Sequence, residues 1–232
     1  MNGAALFVKL LEEQGTDVVF GYPGGTVLSI YDALYKERRR IRHIRTAHEQ
    51  GAAHAADGYA RVSGKTGVCI ATSGPGATNL VTGIANAYMD SVPVVFVTGN
   101  VPLPLIGTDS FQEVDITGIT LSVTKHNFMV KAPEELAPCL RAAFQIANTG
   151  RKGPVLVDIP RDILEMKMPA GSDLRHALPM RSKQIPEVDP VRLEEAVSLI
   201  DASKRPLILA GGGIRSAGAA GILLELARKN QA

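Results

Sequence analysis

Three stretches of this chain, Val68-Cys-Ile-Ala71, Val92-Pro-Val-Val-Phe-Val97 and Val155-Leu-Val-Asp-Ile159, are apolar at almost every position. A strand with one face in water alternates apolar and polar residues. Strands that are apolar throughout are covered on both faces, as in parallel sheets whose strands are joined by helices. The segments between them agree. Ala4–Gln14 has apolar residues at helical spacing and meets Gly15 as a stop. Val18–Phe20 opens into Gly21-Tyr-Pro-Gly-Gly25 and a helical stretch from Thr26 to Tyr35. Ile41–Thr46 alternates as a strand and leads into an alanine-rich helix reaching Arg61. The unit recurs at Gly67–Met89 and less regularly from Val92, and Pro133–Thr149 is a helix before the last apolar run. The expectation is an α/β fold, a doubly wound parallel sheet, over residues 1–160.

From Pro160 the texture changes. Residues 161–190 carry Arg, Asp, Lys, Met and Pro without periodicity and read as a linker over the surface. Residues 191–232 then start a second unit: a helix to Asp201, a strand at Pro206–Ala210, the turn Gly211-Gly-Gly213 and a helix to Asn230. That order is the opening of a Rossmann-like half. No further strand follows, so the second domain reads as incomplete.

Composition excludes more than it selects. Lys plus Arg outnumber Asp plus Glu by 25 to 23 in 232 residues, so no strong field draws the chain to nucleic acid or a membrane. There is no apolar run of bilayer-spanning length and no signal-peptide pattern. Cys69 and Cys139 sit apart in apolar surroundings, as buried thiols of a reducing, cytoplasmic compartment do.

The chemistry is sought where strands end. Glu49 lies at the junction of a strand and the alanine-rich helix, at the sheet edge where open α/β folds hold ligands. It reads equally as a first-turn acid complementing the helix dipole. Ser73-Gly-Pro-Gly-Ala-Thr-Asn79 follows a strand and opens a helix, but it lacks the third glycine of a dinucleotide fingerprint and Pro75 removes an amide donor. It suits close approach to a flat ring better than a phosphate cradle. Gly21–Gly25 is either a structural turn or bare backbone facing a substrate, and Gly211–Gly213 is a weak nucleotide signal. His43, His48, His54, His126 and His176 show no metal-ligand spacing. No Gly-x-Ser-x-Gly elbow or Walker sequence is present. Asp109–Glu113 lies in a long loop of the kind that is often functional, and Lys125 behind it reads first as a solvated cation.

Five segments in this order have a specific likeness. Gly-Tyr-Pro-Gly-Gly (21–25), His-Glu-Gln-Gly-Ala (48–52), Thr-Ser-Gly-Pro-Gly-Ala-Thr-Asn (72–79), Gly-Thr-Asp-Ser-Phe-Gln-Glu (107–113) and Thr-Lys-His (124–126) resemble the pyrimidine-binding domain of thiamin-diphosphate enzymes. More narrowly they resemble the catalytic subunits of acetolactate synthases, with Gly150–Val155 and Leu209–Ile214 similar to that family's FAD-contacting segments. The resemblance implies that Glu49 hydrogen-bonds N1′ of the cofactor's aminopyrimidine, a role that wants a dry pocket. It implies that Pro75 and Asn79 line the pyrimidine, and that Tyr22, Pro23, Gly24 and Gly25 present backbone to the thiazolium and substrate. Phe111 and Gln112 would shape the substrate pocket, with Lys125 near its mouth. Arg151 would touch FAD, with Gly211, Gly212 and Gly213 as further contacts. The substrates implied are small 2-oxo acids. A homodimer or higher oligomer is implied, with a regulatory small subunit as a further partner. The family's diphosphate and Mg²⁺ site, a Gly-Asp-Gly followed by Asn, has no counterpart in this sequence, so no metal ligand is assigned. The alternatives are another thiamin-diphosphate decarboxylase or carboligase, and a non-catalytic fragment acting in assembly. The Asp109–Glu113 loop and Thr124-Lys-His126 tilt against oxalyl-CoA decarboxylase, and Glu49 counts against glyoxylate carboligase.

Overall fold

A computed structural model describes residues 1–169 and 187–232, which fall into two units, one on either side of the undescribed segment. In the first, helices and strands alternate as α1 (Gly3–Glu13), β1 (Val18–Gly21), α2 (Leu28–Lys36), β2 (Arg42–Arg45), α3 (Glu49–Ser63), β3 (Gly67–Ala71), α4 (Pro75–Thr78), α5 (Val81–Met89) and β4 (Val94–Asn100). They continue through α6 (Ile116–Thr120), β5 (His126–Met129), α7 (Leu136–Asn148), β6 (Val155–Pro160) and α8 (Arg161–Glu165). The six strands form one sheet in the order β2-β1-β3-β4-β6-β5, and every pairing is parallel. The expected α/β class and doubly wound sheet are observed.

Local chemistry sets the element ends. The Asn2 side chain accepts from the Ala5 N–H at 3.0 Å and caps α1, and Gly15 takes φ +74° just beyond it. His48 caps α3 by accepting from the Gln50 N–H at Nδ1, 3.2 Å away, and Gly64 ends the same helix at φ +74°. One face of the sheet is covered by α1, α2, α7 and α8, around Phe7, Leu11, Ile30, Val97, Leu140 and Leu164. The other is covered by α3 and α5, around Ala53, Ala56, Leu80, Ile84 and Phe96. The alanines of α3 allow very close packing: a Cβ on Gly83 would run into Ala53, and one on Gly67 into the Ala56 carbonyl.

The fold adds one strand and corrects two readings. His126–Met129, which the sequence marks with neither an apolar run nor alternation, pair with β6 as the sheet's edge strand. Residues 161–169 do not begin a surface linker. Ile163 and Leu164 of α8 are buried in the first unit's core, and Lys167 bridges Asn2. The part of that linker at 170–186, which includes His176, lies outside the described residues. In the second unit, α9 (Pro190–Asp201), α10 (Gly212–Ser216) and α11 (Ala220–Asn230) form as helices, but Pro206–Ala210 is not a strand. A strand exists by its neighbour, and none pairs with this segment among the described residues; Leu207 and Leu209 are 94% and 98% exposed.

Candidate functional site

β1 and β3 lie side by side, but β1 connects outward to β2 on one side and β3 to β4 on the other. Their carboxyl ends therefore diverge. This is the topological switch point, where open α/β sheets leave a crevice for a ligand. The two loops at its mouth are Gly21–Gly25 after β1 and Thr72–Asn79 after β3. Glu49 enters from the neighbouring β2–α3 junction.

Glu49 is 7% exposed, an unusual place for a first-turn acid. Its Oε2 accepts from the Asn79 amide at 2.9 Å. Its Oε1 takes no hydrogen bond from the described residues and lies beside Gly76. A Cβ on that glycine would sit 3.2 Å from Oε1 and 2.7 Å from the Thr72 methyl. Bare backbone thus keeps the carboxyl oxygen approachable. The surroundings are dry: burial first, then the Glu49 charge, pushes the Cys69 thiol well above its ordinary value. Tyr31 is likewise raised, by burial first and then by the charges of Cys69 and Glu49.

Both glycine turns are shaped by contacts across the crevice. Gly74 has φ +56° and ψ −119°, and a Cβ there would come 2.6 Å from the Gln112 carbonyl oxygen. The 109–113 loop therefore seats on the Gly-Pro-Gly turn, with Asp109 and Gln112 themselves at φ +54° and +58°. Glu113 ties that loop by accepting from the Gly107 and Ser110 N–H groups. Phe111 stands 87% exposed at its tip. Across the crevice Thr26 and Thr72 share a hydrogen bond at 2.9 Å between their hydroxyls, and Thr26 Oγ1 accepts from the Ser73 N–H at 3.2 Å. A Cβ on Gly24 would run into Thr72, whereas one on Gly25 would meet open space. Tyr22 and Gly25 are exposed, Pro23 and Gly24 half-buried, and Pro75 is exposed at the first turn of α4. Thr26 and Thr72 were not singled out from the sequence. Their signal, one threonine just after the first Gly-rich turn and one just before the second, becomes meaningful only once the turns are known to face each other.

The structure brings together Tyr22, Pro23, Gly24, Gly25, Glu49, Pro75, Asn79, Phe111 and Gln112. It does not bring Lys125 or Arg151 to them. Both precede strands and so lie at the amino edge, across the sheet. The Lys125 ammonium donates to the carbonyls of Ile146 and Thr149 at the end of α7, and burial lowers its pKa. Arg151 donates to Ser91 Oγ at 2.7 Å and to the carbonyls of Tyr88 and Met89, each at 3.2 Å, capping α5. These two cations, with Tyr88, Thr124 and Lys152, line a cleft of about 280 Å³. Gly211 caps α10 in the second unit, and Gly212 and Gly213 open it. Among the described residues no group of three His, Cys, Asp or Glu is placed to hold a metal ion, and no helix is long and apolar enough to cross a membrane. His48 is the α3 cap. His43 is lowered by burial and packs its ring edge against Tyr31, 4.7 Å between centroids. Cys69 and Cys139 are buried free thiols, as expected.

The class that this crevice defines is matched directly. Residues 1–119 fit the family described as "Thiamine pyrophosphate enzyme, N-terminal TPP binding domain", and the chain belongs to it. Within that class it is 52% identical over 234 residues to the "Probable acetolactate synthase large subunit" of Methanocaldococcus jannaschii, covering 98% of this chain and 38% of that protein. It is 52% identical over 223 residues to the "Acetolactate synthase large subunit" of Corynebacterium glutamicum, covering 94% of this chain and 35% of that one. It is 49% identical over 225 residues to the "Acetolactate synthase isozyme 2 large subunit" of Escherichia coli, covering 97% and 40%. The chain spans well under half the length of these relatives.

Proposed function

We propose that the chain supplies the pyrimidine-binding part of an acetolactate synthase, which joins two 2-oxo acids, pyruvate with pyruvate or 2-oxobutanoate, with loss of CO₂ in branched-chain amino-acid biosynthesis. One observation carries the reading: a buried carboxyl at the switch point, with one oxygen held by Asn79 and the other left beside bare Gly76. The residues fit the group. Gly76 and Gly25 leave space that side chains would fill, and Glu49 offers a free acceptor in a dry setting. Thiamin diphosphate supplies an electron sink for decarboxylation when bound.

The chain's own residues do the rest. Glu49 would hold a proton for the aminopyrimidine N1′, with Asn79 fixing Oε2 and leaving Oε1 for it. Pro75 would line the pyrimidine. Tyr22, Pro23, Gly24 and Gly25 would present backbone to the thiazolium and the 2-oxo acid. Phe111 and Gln112 border the substrate side, with Phe111's exposed ring covering it. No residue of this sequence is assigned to the diphosphate or its Mg²⁺.

The second unit is read as part of a central FAD-contacting domain through Gly211–Gly213, and Arg151 is read separately as an FAD contact of the first unit. Arg151 reaches FAD only from the side of its guanidinium that the α5 cap leaves free. Lys125 takes a part in the substrate pocket only if the ammonium leaves the α7 carbonyls. A homodimer or higher oligomer, a regulatory small subunit and a cytoplasmic location complete the proposal, the last supported by two buried, unpaired thiols.

The test is product analysis of the holoenzyme containing this chain, with pyruvate, thiamin diphosphate, Mg²⁺ and FAD. Acetolactate formed with CO₂ release is expected. CO₂ release with aldehyde and no acetolactate would replace the reading with a simple decarboxylase.

A further inference from the structure

Two buried acids lie outside the Glu49 cluster among the described residues: Asp57, which is paired with Arg61, and Asp158. Asp158, in β6, is 0% exposed, and a Val in its place would simply complete an apolar strand. Its two oxygens are held by neutral side chains of the neighbouring strand. Thr98 Oγ1 donates to Oδ1 and Asn100 Nδ2 to Oδ2, both at 2.6 Å. Burying an ionisable group between neutral partners is costly, and an apolar residue would avoid the cost.

What the acid holds is visible one bond further on. Asn100, fixed by its amide on Asp158, turns Oδ1 to the N–H of Val101 at 2.7 Å, the first residue beyond β4. Asp162, four residues after Asp158, takes the Leu103 N–H with both carboxylate oxygens at 3.2 Å. These are the first steps of the 101–115 segment that carries Phe111 and seats Gln112 on Gly74. Its far end closes on Asp115, which caps α6 by accepting from the Gly118 N–H at 2.9 Å. Alternation along β4 adds a constraint. Thr98 and Asn100 face Asp158, while Gly99 between them faces Thr26, where a Cβ would clash. The end of β4 is therefore gripped from both sides, by Asp158 on one and by the Thr26–Thr72 pair on the other.

We propose that Asp158, acting through Asn100, and Asp162 are positioning residues: they fix the root of the 101–115 segment and thereby the seating of Gln112 on Gly74 beside Glu49. The positioning stands on these hydrogen bonds and on the close approach of Gln112 to Gly74; its catalytic consequence rests on the acetolactate synthase reading.

The test is hydrogen exchange by mass spectrometry on the intact chain, peptide by peptide. Asn100→Ala, Asp158→Ala and Asp162→Ala are each expected to speed exchange across 101–113 by about tenfold, the loss of one such hydrogen bond. α1, β3 and α7 should keep their rates. Asp158→Asn retains a carbonyl for the Asn100 amide and should restore protection, which a need for charge would not allow. Should Asp158→Ala fail to fold, Asp162→Ala at its half-buried position carries the test. Unchanged exchange at 101–113, or a rise spread evenly over the whole unit, would overturn the proposal. In the holoenzyme the same variants should raise KM for the 2-oxo acid more than they lower kcat. Protection lost with KM intact would overturn the catalytic reading of the loop while leaving its seating in place.

Discussion

The two edges of the sheet treat their charged groups in opposite ways. At the amino edge the cations are consumed locally. Lys125 lies on the α7 carbonyls, Arg151 on those of α5, and Lys65 on Asp17 at 2.7 Å. Thr16 Oγ1 is left over there, but these three cations are each held by a local partner. At the carboxyl edge Glu49 keeps one oxygen open, and the hydroxyls of Ser73 and Ser110, buried on the two segments that meet at Gly74, have no partner among the described residues. An edge whose charges end in helix caps and ion pairs is holding itself together. One that buries an acid and then leaves it half-satisfied has its remaining partner elsewhere, since such a group is otherwise destabilising.

The sharpest way to break this contrast is to neutralise the open acid. Glu49→Gln in the holoenzyme keeps the shape and an acceptor but removes the proton-holding carboxyl. Acetolactate formation should fall by about 10²–10⁴-fold, with little change in the melting temperature. A loss of stability in proportion to the loss of activity would make Glu49 structural. Next comes Gly74→Ala, where the left-handed backbone and the Gln112 carbonyl both exclude a methyl group. About 1–3 kcal/mol of strain is expected, read as a fall in the denaturant midpoint together with faster exchange of residues 109–113. A variant as stable as the parent would show that the seating is loose.

Stability against pH sharpens the comparison in another way. Burial pushes Asp158 up to about 6 from an ordinary 3.8, with Asp115 adding to the rise and the Thr98 and Asn100 hydrogen bonds opposing it. A raised folded-state value means that the acid's stabilising contribution is full below pH about 4 and is lost as pH rises through about 6. That gap is worth about 3 kcal/mol on order of magnitude. Asp158→Asn should flatten this limb of the stability profile, as urea melts at a series of pH values would show. Identical profiles would mean that Asp158 is not the titrating group. The smallest effect belongs to the amino edge. Arg151→Gln should cost about 0.5–1 kcal/mol as a lost helix cap and leave Glu49's chemistry alone.

Much of this contrast is legible in the sequence alone. Apolar strands broken by glycine turns specify a covered parallel sheet, and Glu49 stands at a strand end where such sheets bind ligands. What escaped was set by partners at long range. His126–Met129 is a short, polar edge strand with one neighbour, so it has neither the apolar run nor the alternation that marks its fellows. Lys125 and Arg151 are held by backbone carbonyls, partners that a sequence does not display. Asp158 hid inside an apolar run, since its reason for being there lies in β4. Pro206–Ala210 has a strand's composition, but no neighbour pairs with it among the described residues.

The central claim is that Glu49 is the proton-holding group for the cofactor and that nothing at the amino edge shares that work. It is tested most directly by deuterium exchange at C2 of bound thiamin diphosphate, compared in the parent holoenzyme, Glu49→Gln and Arg151→Gln. The account predicts exchange slowed by about a hundredfold or more in Glu49→Gln and unchanged in Arg151→Gln. Equal rates in the parent and Glu49→Gln would contradict it.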